Sequence, residues 1–176
     1  MKRFMVEDKV FQALPGYCVG VVAARGMDNT RKREGISRLL EERIAEFAER
    51  FREANVRELP SVAAYRGAFT KLGMNPNKFM CSIEALTKRV QKSGHLPHIN
   101  PIVDVGNAFS LRYLLPMGAH DIDKLEDEGM AIRFSTPQDL FLGMGETQAE
   151  EMPAGELVYL CERTYRQDPP LDMAAE

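Results

Sequence analysis

The chain predicts a single α+β domain in which a mixed sheet of short strands accompanies a central set of helices. Three observations carry this expectation. Apolar residues recur at helical spacing through the middle of the chain, while both ends hold short apolar runs bounded by Pro, Gly and acidic turns. No repeat, low-complexity tract or internal linker divides the 176 residues, so one domain spanning 1–176 is expected, with a disordered tail after about residue 166. An apolar content of 44% beside 28% charged residues is that of an ordinary globular domain.

Taken in order, the segment FMVEDKVFQALPGYCVGVVAARGMDN predicts two strands separated by a Leu-Pro-Gly turn, the second a continuous apolar run typical of a covered strand. From about Glu34 to Ala54, Ile36, Leu39, Leu40, Ile44, Phe47 and Phe51 repeat at helical spacing opposite a charged face, which predicts a helix that covers a sheet. Pro60 and Ser61 open a second helix carrying Val62, Tyr65, Phe69 and Leu72, with Gly73 placed to end it in the left-handed conformation. Asn75-Pro76-Asn77 is a turn. Ser82 caps a third helix through about Lys92, stopped by Gly94. Toward the C-terminus, 130–134, 140–142 and 157–161 read as short strands.

The most informative stretch runs from Leu96 to Leu125. Asn100 suits a helix cap, Pro101 the first helical position, and Pro116 closes the element about four turns later. Apolar residues from Ile102 to Leu115 cover most of the circumference, which places this helix inside the protein. Through that apolar surface runs one polar line: Asn100, Asp104 and Asn107 lie within roughly 60° of each other, with Ser110 beside them. Buried polar groups need partners, each unpaired one costing about 1–3 kcal/mol. Such side chains most often brace backbone N–H groups, and they equally suit recognition of an amino group, a hydroxyl or a ribose, with Gly118 and Ala119 allowing a close approach to the backbone.

Other chemistries are excluded or weakened by the residues. The net charge of −3 argues against a general positive field for nucleic acid, although Arg31, Lys32 and Arg33 beside a Gly-Met-Asp-Asn-Thr segment, and Lys88, Arg89 and Lys92 on the third helix, form local patches. There is no P-loop, dinucleotide fingerprint or G-x-S-x-G elbow. His95, His98 and His120 lack matching Cys or Glu spacing, so neither a metal nor any other cofactor is expected. Three cysteines without a C-x-x-C pair suggest no disulfide framework, and the start of the chain lacks a signal-length apolar run, so a cytoplasmic protein without a membrane span is expected.

The run INPIVDVGNAFSLRYLLPMGAHDIDKL resembles the central motif of the B3/B4 tRNA-editing domain in the beta subunit of bacterial phenylalanyl-tRNA synthetase. The matching residues are Asn100, Val103, Asp104, Asn107, Pro116, Gly118, Asp121, Asp123, Lys124 and Leu125, and YRGAFTKLGMNPNKF, from Tyr65 to Phe79, is similar to the segment preceding the motif in free-standing family members. The resemblance implies a B3/B4-like fold and hydrolysis of a wrongly attached amino acid from transfer RNA, in trans, by a chain that does not itself charge tRNA. It implies Asp104 and Asn107 as catalytic groups, with Asn100, Ser110, Gly118, His120 and Asp121 around the substrate. The basic residues Arg31, Lys32, Arg33, Lys88, Arg89 and Lys92 would then meet the tRNA phosphates.

Two departures stand out. Where the synthetase domains carry histidine, alanine, an aromatic residue and aspartate after the proline, this chain has Gly118, Ala119, His120 and Asp121, which points to a different amino acid in the pocket. For the family's downstream recognition glutamate, Gln138-Asp139 and Gly145-Glu146 compete, and Glu146 is preferred because the preceding glycine permits a tight approach. A non-catalytic module that binds RNA or an amino acid is the alternative from the sequence.

Overall fold

Helical periodicity becomes structure most directly. In the computed structural model, which describes residues 2–125, 129–143 and 147–161, four long helices form the middle of the chain: α2 (Glu34–Arg50), α3 (Pro60–Lys71), α4 (Ser82–Ser93) and α5 (Pro101–Tyr113), after a short α1 (Asp8–Ala13). Glu146 and the tail after Arg166 lie outside the described residues. The stop signals act as their chemistry dictates: Gly73 has φ 77° just past α3, and Gly94 is the left-handed C-cap of α4 with φ 66°. Ser82 is the first residue of α4 rather than its cap, which is Cys81. Asn75 Oδ1 accepts from Asn77 N at 2.9 Å, forming the expected turn.

The inward stripes of these helices close one core. Leu40, Ile44 and Phe47 of α2, Val62 and Phe69 of α3, Ile83 and Val90 of α4, and Ala108 and Leu111 of α5 are all buried in it. Glu84 is buried there as well, with no exposed surface. Its carboxylate meets Arg66 Nη1 at 3.0 Å, Lys88 Nζ at 2.6 Å and Arg57 Nε at 3.5 Å, the last from a 3-10 turn at Val56–Glu58. Burial acts to raise the pKa of Glu84, and the bonds from Lys88 and Arg66 outweigh it, holding the group below its ordinary value.

A smaller second core lies on a sheet of order β1-β2-β5, where β1 is Arg3–Val6, β2 Gly129–Phe134 and β5 Leu157–Cys161. β2 is central, parallel to β1 from Arg3↔Gly129 to Val6↔Ile132 and antiparallel to β5 from Met130↔Cys161 to Phe134↔Leu157. Val10 and Leu14, four residues apart, bring one side of α1 onto Ile132 and Leu157. β3 (Leu140–Phe141) and β4 (Glu150–Glu151) form a separate antiparallel ribbon. Helices in the middle and strands from both ends make this an α+β fold.

Three expectations are corrected. Among the described residues α2 covers no sheet: its apolar stripe packs on α4 and α5 in the helical core. The segment before the Leu-Pro-Gly turn is a strand followed by a helix, because Val10 and Leu14 repeat at helical spacing. The apolar run after it forms no strand: Tyr17 and Val19 pack on the small core, while Val21 is 57% and Val22 93% exposed. Apolarity alone does not supply a neighbouring strand, and both sides of central β2 are taken by β1 and β5.

Gly129 has φ 103°, and a Cβ there would overlap the backbone of Arg3. Gly129→Ala is therefore expected to break the β1–β2 pairing, which thermal unfolding would record as a large fall in Tm. Beyond β2, Asp139 accepts from Arg133 Nη1 at 2.8 Å, Arg133 Nη2 at 2.7 Å and Thr136 N at 2.6 Å. The Arg133 bonds, with help from Thr136, lower its pKa to about 2 against an ordinary 3.8. A depressed carboxylate stabilises the fold above its unfolded pKa. Asp139→Asn should thus cost about 2 kcal/mol at neutral pH, and the gap from wild type in urea midpoints should close as pH falls from about 4 toward about 2.

Candidate functional site

A helix that begins within the protein leaves its first amides without partners, and α5 resolves this with side chains from two loops. Pro101 has no N–H to satisfy. Val103 N donates to its own cap, Asn100 Oδ1, at 3.0 Å, Ile102 N donates to Asn29 Oδ1 at 3.0 Å, and Asp104 N donates to Asn100 O at 2.9 Å. Asp104, 4% exposed, turns back toward the chain entering the helix: Oδ1 accepts from Ile99 N at 3.1 Å and Oδ2 lies 2.7 Å from His98 Nδ1. His98 Nε2 is in turn 3.0 Å from Glu41 Oε1 on α2.

His98 therefore bridges a buried and an exposed carboxylate. The bond to Asp104 is the largest influence and raises its pKa, burial opposes this, and the bond to Glu41 adds to the rise. With an acceptor at each ring nitrogen, the imidazolium form donates to both. The residue ties the α5 entry loop to α2.

The remaining members of the polar line have different fates. Asn107, one turn beyond Asp104, is half-buried and makes no side-chain hydrogen bond among the described residues. Ser110 is 4% exposed on the same helix. Asn100 is the cap, and Asp104 is the anchor of the loop. After α5, Leu114 takes the left-handed conformation at φ 55° and the chain leaves through Pro116. Gly118 and Asp121 are exposed, His120 lies against Tyr159 of β5 with ring centroids 5.5 Å apart, and Asp121 Oδ1 accepts from Asp123 N at 3.1 Å. The structure thus joins Asn100, Asp104 and His98 directly. None of the contacts described for the 118–121 turn reaches Asp104 or Asn107.

α5 is not apolar-and-buried all round. Phe109 is 39% and Tyr113 53% exposed, with their rings stacked 5.9 Å apart, because α5 packs on α2 and α4 along one side only. A shallow groove of about 160 Å³ on this side is lined by Leu39, Arg43, Ala108, Phe109, Arg112 and Tyr113. It includes none of the residues of the polar line.

Among the basic positions, Arg31 and Arg33 lie 3.6 and 3.8 Å from Asp28, whose pKa is lowered first by its bonds to Thr30, and Lys32 is exposed beside them. Lys88 is held by Glu84, while Arg89 and Lys92 are exposed. The other competing acid, Asp139, is fully engaged by Arg133 and its own turn.

His98, Glu41 and Asn29 are the participants that sequence reasoning missed. His98 stands two residues before the capping asparagine, a signal visible only once Asp104 is known to point backward; Asn29 and Glu41 are remote in sequence and carry none. The three histidines take separate surroundings, and no cluster of metal-binding side chains occurs among the described residues. No described helix is long and apolar enough to cross a membrane.

An α+β domain with this capped, polar-lined helix is matched by the family model of the B3/4 domain over residues 64–166, which runs from within α3 through β5 and includes the whole α5 motif. The chain belongs to the B3/4 domain family. No curated protein and no solved structure matches it.

Because the folded-state pKa of His98 is raised, the stability it contributes is fully present below about 6.5 and is lost as pH rises through the higher folded value. The Tm gap between wild type and His98→Gln should therefore be largest near pH 6 and narrow with rising pH. A gap that widens on the alkaline side contradicts the bridging role.

Proposed function

We propose that this protein hydrolyses the ester of a mischarged aminoacyl-tRNA delivered to it in trans. The observation that carries this reading is Asn107, a half-buried amide in the α5 motif of a B3/4 domain whose hydrogen-bonding groups no described residue engages. Its amide offers an acceptor for a water proton and donors for a ribose hydroxyl or ester carbonyl. In the proposed reaction, water oxygen adds to the aminoacyl carbonyl carbon, the bond from that carbon to the ribose oxygen breaks, and a proton passes to the ribose oxygen. The products are a free amino acid and uncharged tRNA.

Positioning is the main service such a site supplies to an already activated ester. Asn107 would orient the water or the terminal ribose. Asp104 would act one step removed: with His98 and Ile99 on its oxygens, it holds the N-terminal turn of α5 and so the placement of Asn107. Asn100 holds the same turn as its cap, and Ser110, Gly118, His120, Asp121 and Glu146 are proposed to shape the amino-acid pocket. The substitution of the family's histidine-first turn by Gly118-Ala119-His120-Asp121 supports an amino acid other than that of the synthetase domains.

A panel of mischarged tRNAs incubated with the purified protein tests this, the expected result being multiple-turnover release of one or a few amino acids. Asn107→Ala should lower the rate about 100-fold, equivalent to about 2.7 kcal/mol of barrier, with an unchanged Tm. Asp104→Ala should lose about 1.5–3 kcal/mol of stability together with activity. Saturable RNA binding with no release from any tRNA would replace the hydrolase with a binding module.

A further inference from the structure

The environment of Glu84 is unbalanced in charge. Arg57, Arg66 and Lys88 all meet this one fully buried carboxylate, and no other carboxylate pairs with any of the three in the described ion pairs. Two net positive charges are thereby held in place on a protein whose overall charge is −3.

The three cations differ in exposure and in how far their nitrogens are engaged. Arg66 is 17% exposed and donates to Pro76 O at 2.8 Å and Asn77 Oδ1 at 2.7 Å besides Glu84, so it serves as scaffold. Arg57 is 50% exposed and gives Glu84 only its Nε, leaving both terminal nitrogens toward solvent. Lys88 is 33% exposed, with Glu84 at 2.6 Å and Met80 Sδ at 3.3 Å on its ammonium. Lys92 follows Lys88 by four residues, hence on the same side of α4 and about one 5.4 Å turn along, and it is exposed with no ion pair among the described residues. Glu58, next to Arg57, accepts from Asn55 Nδ2 at 2.8 Å.

We propose that Arg57, Lys88 and Lys92, preorganised by Glu84 and Arg66, form a docking surface for the phosphodiester backbone of an RNA strand. Lys92 stands about one 5.4 Å helical turn from Lys88, so the charges are spaced along α4, which suits the repeated phosphates of a strand over a single small anion. The carboxylate-pinned guanidinium of Arg57 adds a planar fork suited to phosphate. The surface is distinct from the Arg31–Arg33 loop, where Asp28 already offsets part of the charge. It shares with the proposed hydrolase only the expectation of an RNA partner.

Fluorescence anisotropy with labelled uncharged tRNA tests it in isolation, because no ester is involved. Lys92→Glu, at an exposed side chain, and Arg57→Gln, which leaves Glu84 its Arg66 and Lys88 partners, both verified by circular dichroism and Tm, should weaken binding, the charge reversal at least tenfold. The double neutral variant Arg57→Ala/Lys92→Ala should shallow the salt dependence by about 1.4 in log–log slope, about 0.7 per lost phosphate contact on a single strand. A charge-matched reversal elsewhere, Lys9→Glu, should change little. The proposal is overturned if wild type does not bind tRNA, if the Arg57 and Lys92 variants bind as wild type does, if Lys9→Glu weakens binding equally, or if polyglutamate competes as well as RNA. Loss of RNA binding in the variants while a small aminoacyl ester is still hydrolysed separates this surface from the catalytic reading; RNA binding without any hydrolysis removes the catalytic reading and leaves the surface.

Discussion

The start of α5 is the constraint on which the site depends. A helix whose first turn is partly buried needs acceptors for its first amides, and here they come from Asn29 in one loop and Asn100 in another, while Asp104 reaches back to Ile99 and His98. The bonds fix the 98–100 entry segment and the loop carrying Asn29 against the same helical turn. Through His98 and Glu41 the network continues to α2, so the position of the α5 polar line is set jointly by three segments far apart in sequence.

The acids of this protein show how environment separates chemically similar groups. Glu84 is buried but surrounded by three cations, Asp139 is clasped by one guanidinium and a turn amide, and Asp104 is matched to a histidine and a backbone N–H. Breaking a buried ion pair by removing one partner typically costs several kcal/mol, so the Glu84 cluster ties the 3-10 turn, α3, the 75–79 turn and α4 into one body. Three cations meet this one carboxylate, and the two positive charges left over are the basis of the proposed RNA surface.

Legibility in the sequence followed the range of the interaction. The Asn100 cap, Pro101 at the first helical position, Gly73 and Gly94 as stops, and the strands near 130–134 and 157–161 all follow from local rules and match the structure. The run after Pro15-Gly16 was misread because an apolar sequence records affinity for a core, not the presence of a strand beside it. Likewise the apolar residues of α5 suggest a helix buried all round, whereas Phe109 and Tyr113 stay partly exposed in a groove that α5 shares with Leu39 and Arg43 of α2.

By itself, then, the sequence determined the α+β class, the four long helices with the Asn100 cap and the glycine stops, the polar line on α5 and the kinship to the B3/4 domain, since all of these rest on residue type and spacing within a few turns of chain. Only the tertiary structure decided that Asp104 is bound to His98 and Ile99 while no described residue engages the amide of Asn107, that Asn29 and Glu41 belong to the same network, and that three cations converge on Glu84. Those outcomes depend on which side chains meet across folded segments. Hydrogen bonds and ion pairs act over a few ångströms of space, and no spacing along the chain encodes that distance.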